Sequence, residues 1–132
     1  MSLEVGPDLL AGLSEAAWGV RERSRILGKT KVGCAALGGT GSIWVGCNVE
    51  HRYRSHDIHA ETNALGNLVA GGDSVLELVL VAAERDFFTP CGGCMDWIFE
   101  LGGPTCGVAV QSGRNAEISV YEARELMPFY PR

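Results

Sequence analysis

The sequence predicts an α/β protein, a three-layer α/β/α sandwich built on one mixed five-stranded sheet. Three features predict it. Helical and strand patterns alternate along the chain, which lays helices on both faces of a sheet. Residues 75–83 form a nearly continuous apolar run, the mark of a strand buried on both faces. Gly38-Gly39-Thr40-Gly41 separates two short apolar runs, a hairpin signal.

The elements follow in order. Residues 8–26 place Leu9, Leu10, Leu13, Ala16, Ala17 and Val20, with Leu27 beyond, close to helical spacing; Pro7 suits a first turn and Gly28 a stop. Residues 32–37 and 42–47 are the hairpin strands, and polar residues 48–57 read as a loop. A second helix is expected over 58–69, with Asp57 as N-cap and Gly71-Gly72 as its end. Strand 75–83 leads through loop 84–90 into a third helix over 91–101. Residues 106–111 and 116–121 predict two more strands, and 122–127 a short final helix. No repeat, linker or low-complexity stretch interrupts residues 1–132, so one domain is expected.

Charge and cysteine usage exclude several function classes. Eleven Lys plus Arg against sixteen Asp plus Glu give a net charge of −5, and the sequence pI is about 5.1. Long nucleic acid is therefore not expected as the main partner, because neutralising a phosphate backbone needs a dense cationic surface. No apolar run approaches the roughly 20 residues that cross a bilayer, so no membrane partner is expected either. Met1-Ser2-Leu3-Glu4 lacks the charged start and apolar stretch of a secretory signal. Five cysteines, two of them in Cys91-Gly92-Gly93-Cys94, read as metal or redox chemistry rather than a disulfide framework. The expected compartment is the cytoplasm.

The chemistry is written in His59-Ala60-Glu61 and Thr89-Pro90-Cys91-Gly92-Gly93-Cys94. Zinc takes nitrogen and thiolate ligands in a tetrahedron, and a catalytic site keeps one vertex for water. Cys91 and Cys94, three apart on a first helical turn, turn their sulfurs toward one point. The exposed N–H groups and dipole of that turn favour thiolate. His59 at another helix start can supply a third ligand, and one neutral imidazole with two thiolates balances a dication. Glu61 would lie beside the metal without ligating it, placed to move protons between water and substrate. Each motif alone has ordinary readings. His-x-Glu is a common surface triplet, and Cys-x-x-Cys serves as a redox dithiol, half of a structural zinc knuckle, or two buried small residues. Together, each opening a predicted helix, they match the zinc-deaminase pattern.

On these residues the sequence resembles the cytidine deaminase family in its small-subunit form, from about Val32 to Pro128. Val32-Gly33-Cys34-Ala35-Ala36-Leu37 resembles the family's first strand, Gly46-Cys47-Asn48-Val49-Glu50 its nucleoside-binding strand end, and the two motifs above its zinc motifs. The resemblance implies that His59, Cys91 and Cys94 hold zinc while Glu61 relays protons during hydrolytic deamination of cytidine or deoxycytidine. It also implies that Asn48 and Glu50 bond the ribose 3′-hydroxyl, and that the backbone at Ala60 and around Thr89 and Cys91 contacts the base and the oxygen and nitrogen at C4. A place in pyrimidine salvage and a homotetramer, or a dimer, whose subunits complete each other's pockets are implied as well. Read without the resemblance, Asn48 and Glu50 are two apart on an extended segment and point the same way, as a sugar grip or a solvated strand end would.

The chain departs from the family in four places. The family's usual third ligand is Cys, followed after Ala-Glu by Arg; here the positions are His59 and Thr62. Its Pro-Tyr-Ser-x-Phe, whose aromatic packs near the base, is replaced by Ile26-Leu27-Gly28-Lys29-Thr30, which has no aromatic. Met95-Asp96 stands for its Arg-Gln. In the tail Leu126-Met127-Pro128-Phe129-Tyr130, either Phe129 or Tyr130 is expected to be the aromatic that reaches a neighbouring site. Cys34, Cys47 and Cys106 are expected to be buried small hydrophobes. Trp18, Trp44 and Trp97 are expected in cores or subunit contacts, and His51 and His56 outside the metal set.

Three rivals stand beside deamination of a cytosine nucleoside. One keeps the chemistry but takes another amine, such as a blasticidin-type antibiotic, a modified cytosine or a purine base. The second makes the cysteine pair a thioredoxin-like dithiol. The third is a non-catalytic binding module with structural zinc, against which an intact Glu61 argues.

Overall fold

The apolar run predicted as the central strand feeds two different cores. Leu78, Leu80 and Ala82 join Leu13, Ala17 and Trp18 on one face of the sheet. Val79, Val81 and Ala83 join Ala64, Leu68, Met95 and Ile98 on the other. Period-two alternation in a strand covered on both sides demands this pattern, and it makes the molecule three-layered.

The computed structural model describes residues 5–130; Met1 to Glu4, read above for a secretory start, lie outside them. The elements are α1 (Pro7–Arg21), β1 (Val32–Gly38), β2 (Ile43–Cys47), a 3₁₀ turn (Arg54–His56), α2 (Ala60–Ala70), β3 (Leu76–Ala83), α3 (Gly92–Gly102), β4 (Gly107–Gln111), β5 (Ser119–Glu122) and α4 (Ala123–Leu126). Helices and strands succeed one another as predicted. The sheet order is β2-β1-β3-β4-β5. β3 and β4 run parallel while the other neighbours are antiparallel, so the sheet is mixed and five-stranded. α1 covers one face, and α2 and α3 the other. No helix among the described residues is long and apolar enough to cross a membrane.

Three boundaries differ from the sequence reading by two residues or more, each for a tertiary reason. α1 stops at Arg21, five residues before the predicted end. The chain beyond it pairs with the strand after β2, the Arg25 N–H bonding the Asn48 carbonyl at 3.1 Å and the Glu50 N–H the Arg25 carbonyl at 2.7 Å. α2 starts at Ala60 with His59, not Asp57, as its N-cap. The Asp57 carboxylate instead accepts the His51 N–H at 2.8 Å and Arg54 Nε at 2.9 Å, clasping the loop. β5 starts at Ser119 rather than 116, because the carbonyls of Arg114 and Ala116 accept the buried Gln111 amide and hold that segment in a turn.

Of the glycines at close approaches, two bear on the site and the hairpin. A Cβ on Gly46 would collide with the Ala60 carbonyl and Ala64 N–H of α2, so helix and strand meet backbone to backbone there. A Cβ on Gly38 would collide with the Asp73 carboxylate.

Candidate functional site

Packing α2 and α3 on the same face of the sheet brings their N-terminal ends together. His59 caps α2 with extended backbone (ψ 152°) and Cys91 caps α3 likewise (ψ 171°), with Cys94 in the first turn. The Asn63 N–H bonds the His59 carbonyl at 2.9 Å, and the Met95 N–H the Cys91 carbonyl at 2.8 Å. Those closed first turns fix where the side chains leave the backbone. One donor atom from each of His59, Cys91 and Cys94 lies within 4.8 Å of the others. His59 Nδ1 is 3.4 Å from each sulfur.

These spacings fit a zinc ion. Tetrahedral bonds of about 2.0–2.3 Å set ligand atoms roughly 3.5 Å apart. The donor set fits as well, since one imidazole and two thiolates neutralise a dication. Burial, followed by the nearby Glu61 and Cys91, pushes the Cys94 thiol far above the ordinary range, while the Thr62 N–H works the other way. A thiol so placed ionises only beside a strong positive charge. His59 and Cys91 line a cleft of about 540 Å³, and Cys94 lies buried behind them.

Glu61 lines the same cleft at 3% exposure. Burial raises its pKa, opposed by its own backbone N–H and by His59. Its carboxylate meets no other hydrogen-bond donor among the described residues. A carboxyl group in that setting can accept a proton and give it up again.

Asn48, Glu50 and Ala60 also line the cleft, but the first two are heavily engaged. Asn48 Oδ1 accepts the Val32 N–H at 2.8 Å, and Nδ2 donates to the Thr30 carbonyl at 2.9 Å, leaving one amide hydrogen. Glu50 Oε1 accepts the Gly28 N–H at 2.8 Å and the Leu27 N–H at 2.7 Å, and Oε2 pairs with Arg54 Nη2 at 3.0 Å. The Gly28 and Leu27 amides hold its pKa below the usual carboxylate value. The pair thus braces the segment before β1, and a ligand hydroxyl would meet only the capacity left over.

Among the lining residues to which the sequence reading gave no site role are Arg54, Arg85 and Phe88. Arg54, four after Glu50 and three before Asp57, has ion-pair spacing to both; Phe88 carries no local signal. His51 and His56 meet in the exposed loop with tilted rings, centroids 4.9 Å apart, outside the metal set. Cys34 and Cys106 are buried and Cys47 half-buried. Trp18 is in the core, while Trp97 on α3 is 53% exposed. Tyr130 stacks on Phe99 at 4.1 Å, whereas Phe129 stands 95% exposed.

A family model described as the cytidine and deoxycytidylate deaminase zinc-binding region matches residues 11–110. A cytidine deaminase of Shewanella pealeana is 36% identical over 72 residues, 53% of this chain and 23% of that protein. Cytidine deaminase 3 of Arabidopsis thaliana is 32% identical over 108 residues, 77% of this chain and 48% of that one. The chain thus spans about a quarter to a half of these curated relatives. The solved cytidine deaminase of Burkholderia pseudomallei superposes with a TM-score of 0.80 at 31% identity, covering 89% of this chain and 95% of that one. That of Mycobacterium leprae gives 0.79 at 28% identity, with 95% and 99% covered.

Proposed function

The chain belongs to the cytidine and deoxycytidylate deaminase zinc-binding family, and on that footing we propose that it is a zinc-dependent hydrolytic deaminase. It converts cytidine or deoxycytidine, with water, to the uracil nucleoside and ammonia. One observation carries the reading: a buried carboxylate, Glu61, shares a cleft with a His59–Cys91–Cys94 donor triangle of zinc-like spacing. Zinc held there would supply the Lewis acidity that lets water ionise near neutral pH.

The rest falls to the chain's own residues. His59, Cys91 and Cys94 hold the metal. Glu61 takes a proton from the attacking water, places it on the ring nitrogen N3, and passes a proton to the amine as it leaves C4. The remaining Asn48 amide hydrogen and the Glu50 carboxylate hold the ribose hydroxyl, and the Ala60 backbone meets the base. The names of the relatives favour a cytosine nucleoside over a blasticidin-type antibiotic, a modified cytosine or a purine. The 3.4 Å approach of His59 Nδ1 to both sulfurs favours metal binding over a dithiol.

The finer reading is a single-domain cytoplasmic protein working as a homotetramer. An apolar groove between α2 and α3, lined by Leu65, Val69, Trp97 and Leu101, supports a subunit contact. Phe129, rather than the stacked Tyr130, is the aromatic free to reach a neighbouring cleft. Metal analysis together with ammonia release from a substrate panel tests the function. Stoichiometric zinc with cytidine or deoxycytidine as the fastest substrate is expected; absence of zinc, or faster turnover of another amine, overturns it. Light scattering tests the assembly.

A further inference from the structure

We propose that Phe88 is the aromatic wall of the cleft, the surface against which the substrate's planar ring packs and hence a specificity-determining residue; this rests on the deaminase reading above. The segment before β1 that also lines the cleft offers no ring. It is built from Gly28, Lys29 and Thr30, and its backbone is pinned by the Glu50 carboxylate at Leu27 and Gly28. Among this subunit's own lining residues, a planar heterocycle therefore finds its phenyl face on the β3–α3 loop.

That loop is shaped to deliver one. Phe87 holds a left-handed backbone, φ 57°, which a phenylalanine adopts only at an energetic cost. Strain of this kind persists where the surroundings over-determine it, typically at ligand clamps and active sites. After the kink the two neighbouring rings part. Phe87 is fully exposed, whereas Phe88 lines the cleft and packs against the core beneath α2 and α3. The Arg85 guanidinium stands 6.0 Å from the Phe88 ring centroid, a cation–π contact that steadies the ring. Only Thr89 and Pro90 separate Phe88 from Cys91. A base held on this wall is thereby held in register with the metal triangle.

The test uses the zinc-loaded full chain, with uridine and its puckered analogue 5,6-dihydrouridine as calorimetric probes and cytidine as substrate. Stacking requires a flat partner, so the wild type should prefer uridine. Phe88→Leu keeps apolar packing and removes the ring. It should weaken uridine binding and raise KM for cytidine roughly tenfold, leave kcat nearly unchanged, and erase the planar preference. Phe88→Tyr should restore all three, and Phe87→Gly should match the wild type. Should Phe88→Leu lose its cooperative melt, Phe88→Met, closer in length to the ring, carries the same comparison. Wild-type uridine affinity in the ring-less variant, an equal loss in Phe87→Gly, or failure of Phe88→Tyr to restore binding would each overturn the proposal. A wild type that releases no ammonia from cytidine defeats the deaminase reading while the uridine series still judges the wall; binding of neither probe defeats the wall.

Discussion

Glu61 and Asp73 expose similarly little surface, 3% and 7%, yet their surroundings are opposite. Asp73 Oδ2 accepts the Thr40 hydroxyl at 2.7 Å and its N–H at 3.3 Å, while Oδ1 accepts the Ser74 N–H at 2.9 Å and the Val75 N–H at 3.4 Å. Those donors, the Thr40 hydroxyl first, hold its carboxyl below the usual range. The result fastens the β1–β2 hairpin to the start of β3. Glu61 has only its own amide and the field of His59, and burial pushes its pKa up. A buried charge whose lone pairs are filled belongs to the fold; one left unfilled beside converging metal donors costs stability, as the proposed proton relay requires.

The sharpest way to break this contrast is to make both side chains amides. Glu61→Gln should lower turnover about 10²–10⁴-fold while zinc content stays unchanged. Its denaturant midpoint should hold or rise, because the amide ends the cost of burying a carboxylate. A variant that kept its rate, or lost stability, would erase the distinction. Next in size, Cys94→Ser should fail to retain zinc through dialysis and should melt at lower temperature, since ligand loss removes metal-linked folding energy. Asp73→Asn, measured beside it, should keep its zinc.

Gly38→Ala attacks the other carboxylate from behind. Its Cβ would take the space of the Asp73 carboxylate, and a cost of about 1–3 kcal/mol is expected in urea unfolding, with turnover per folded molecule preserved. The smallest effect is a pH slope. Asp73 has a folded pKa below its unfolded value of about 3.8, so its contribution is complete above that value and fades as pH falls through the folded one. The stability gap between wild type and Asp73→Asn should therefore be constant near neutrality and shrink below about pH 4. A gap that widened on acidification would reverse the assignment.

The metal triangle was legible because zinc chemistry constrains residue type and spacing within single helical turns. The His-x-Glu and Cys-x-x-Cys motifs carry both constraints locally. β3 was legible for a similar reason, since burial on both faces leaves an unbroken apolar run. What escaped depends on partners distant in sequence. Leu27 continues a helical pattern, but the bonds joining Arg25 to Asn48 and Glu50 draw the chain out of the helix. Asp57 has the composition of an N-cap, yet the loop amide of His51 and the Arg54 guanidinium claim it first. Asn48 and Glu50 were readable as polar groups facing one way. That they brace the chain at Thr30, Leu27 and Gly28 follows only from contacts some twenty positions apart.

The backbone contact at Gly46 reaches further than its position suggests. With no Cβ between them, β2 fixes the height of the first turn of α2 above the sheet, and His59 sits at the head of that turn. Any larger residue there would lift the imidazole away from the two sulfurs. In a saturation library screened for metal retention, position 46 should tolerate little but glycine, although it contributes no ligand atom.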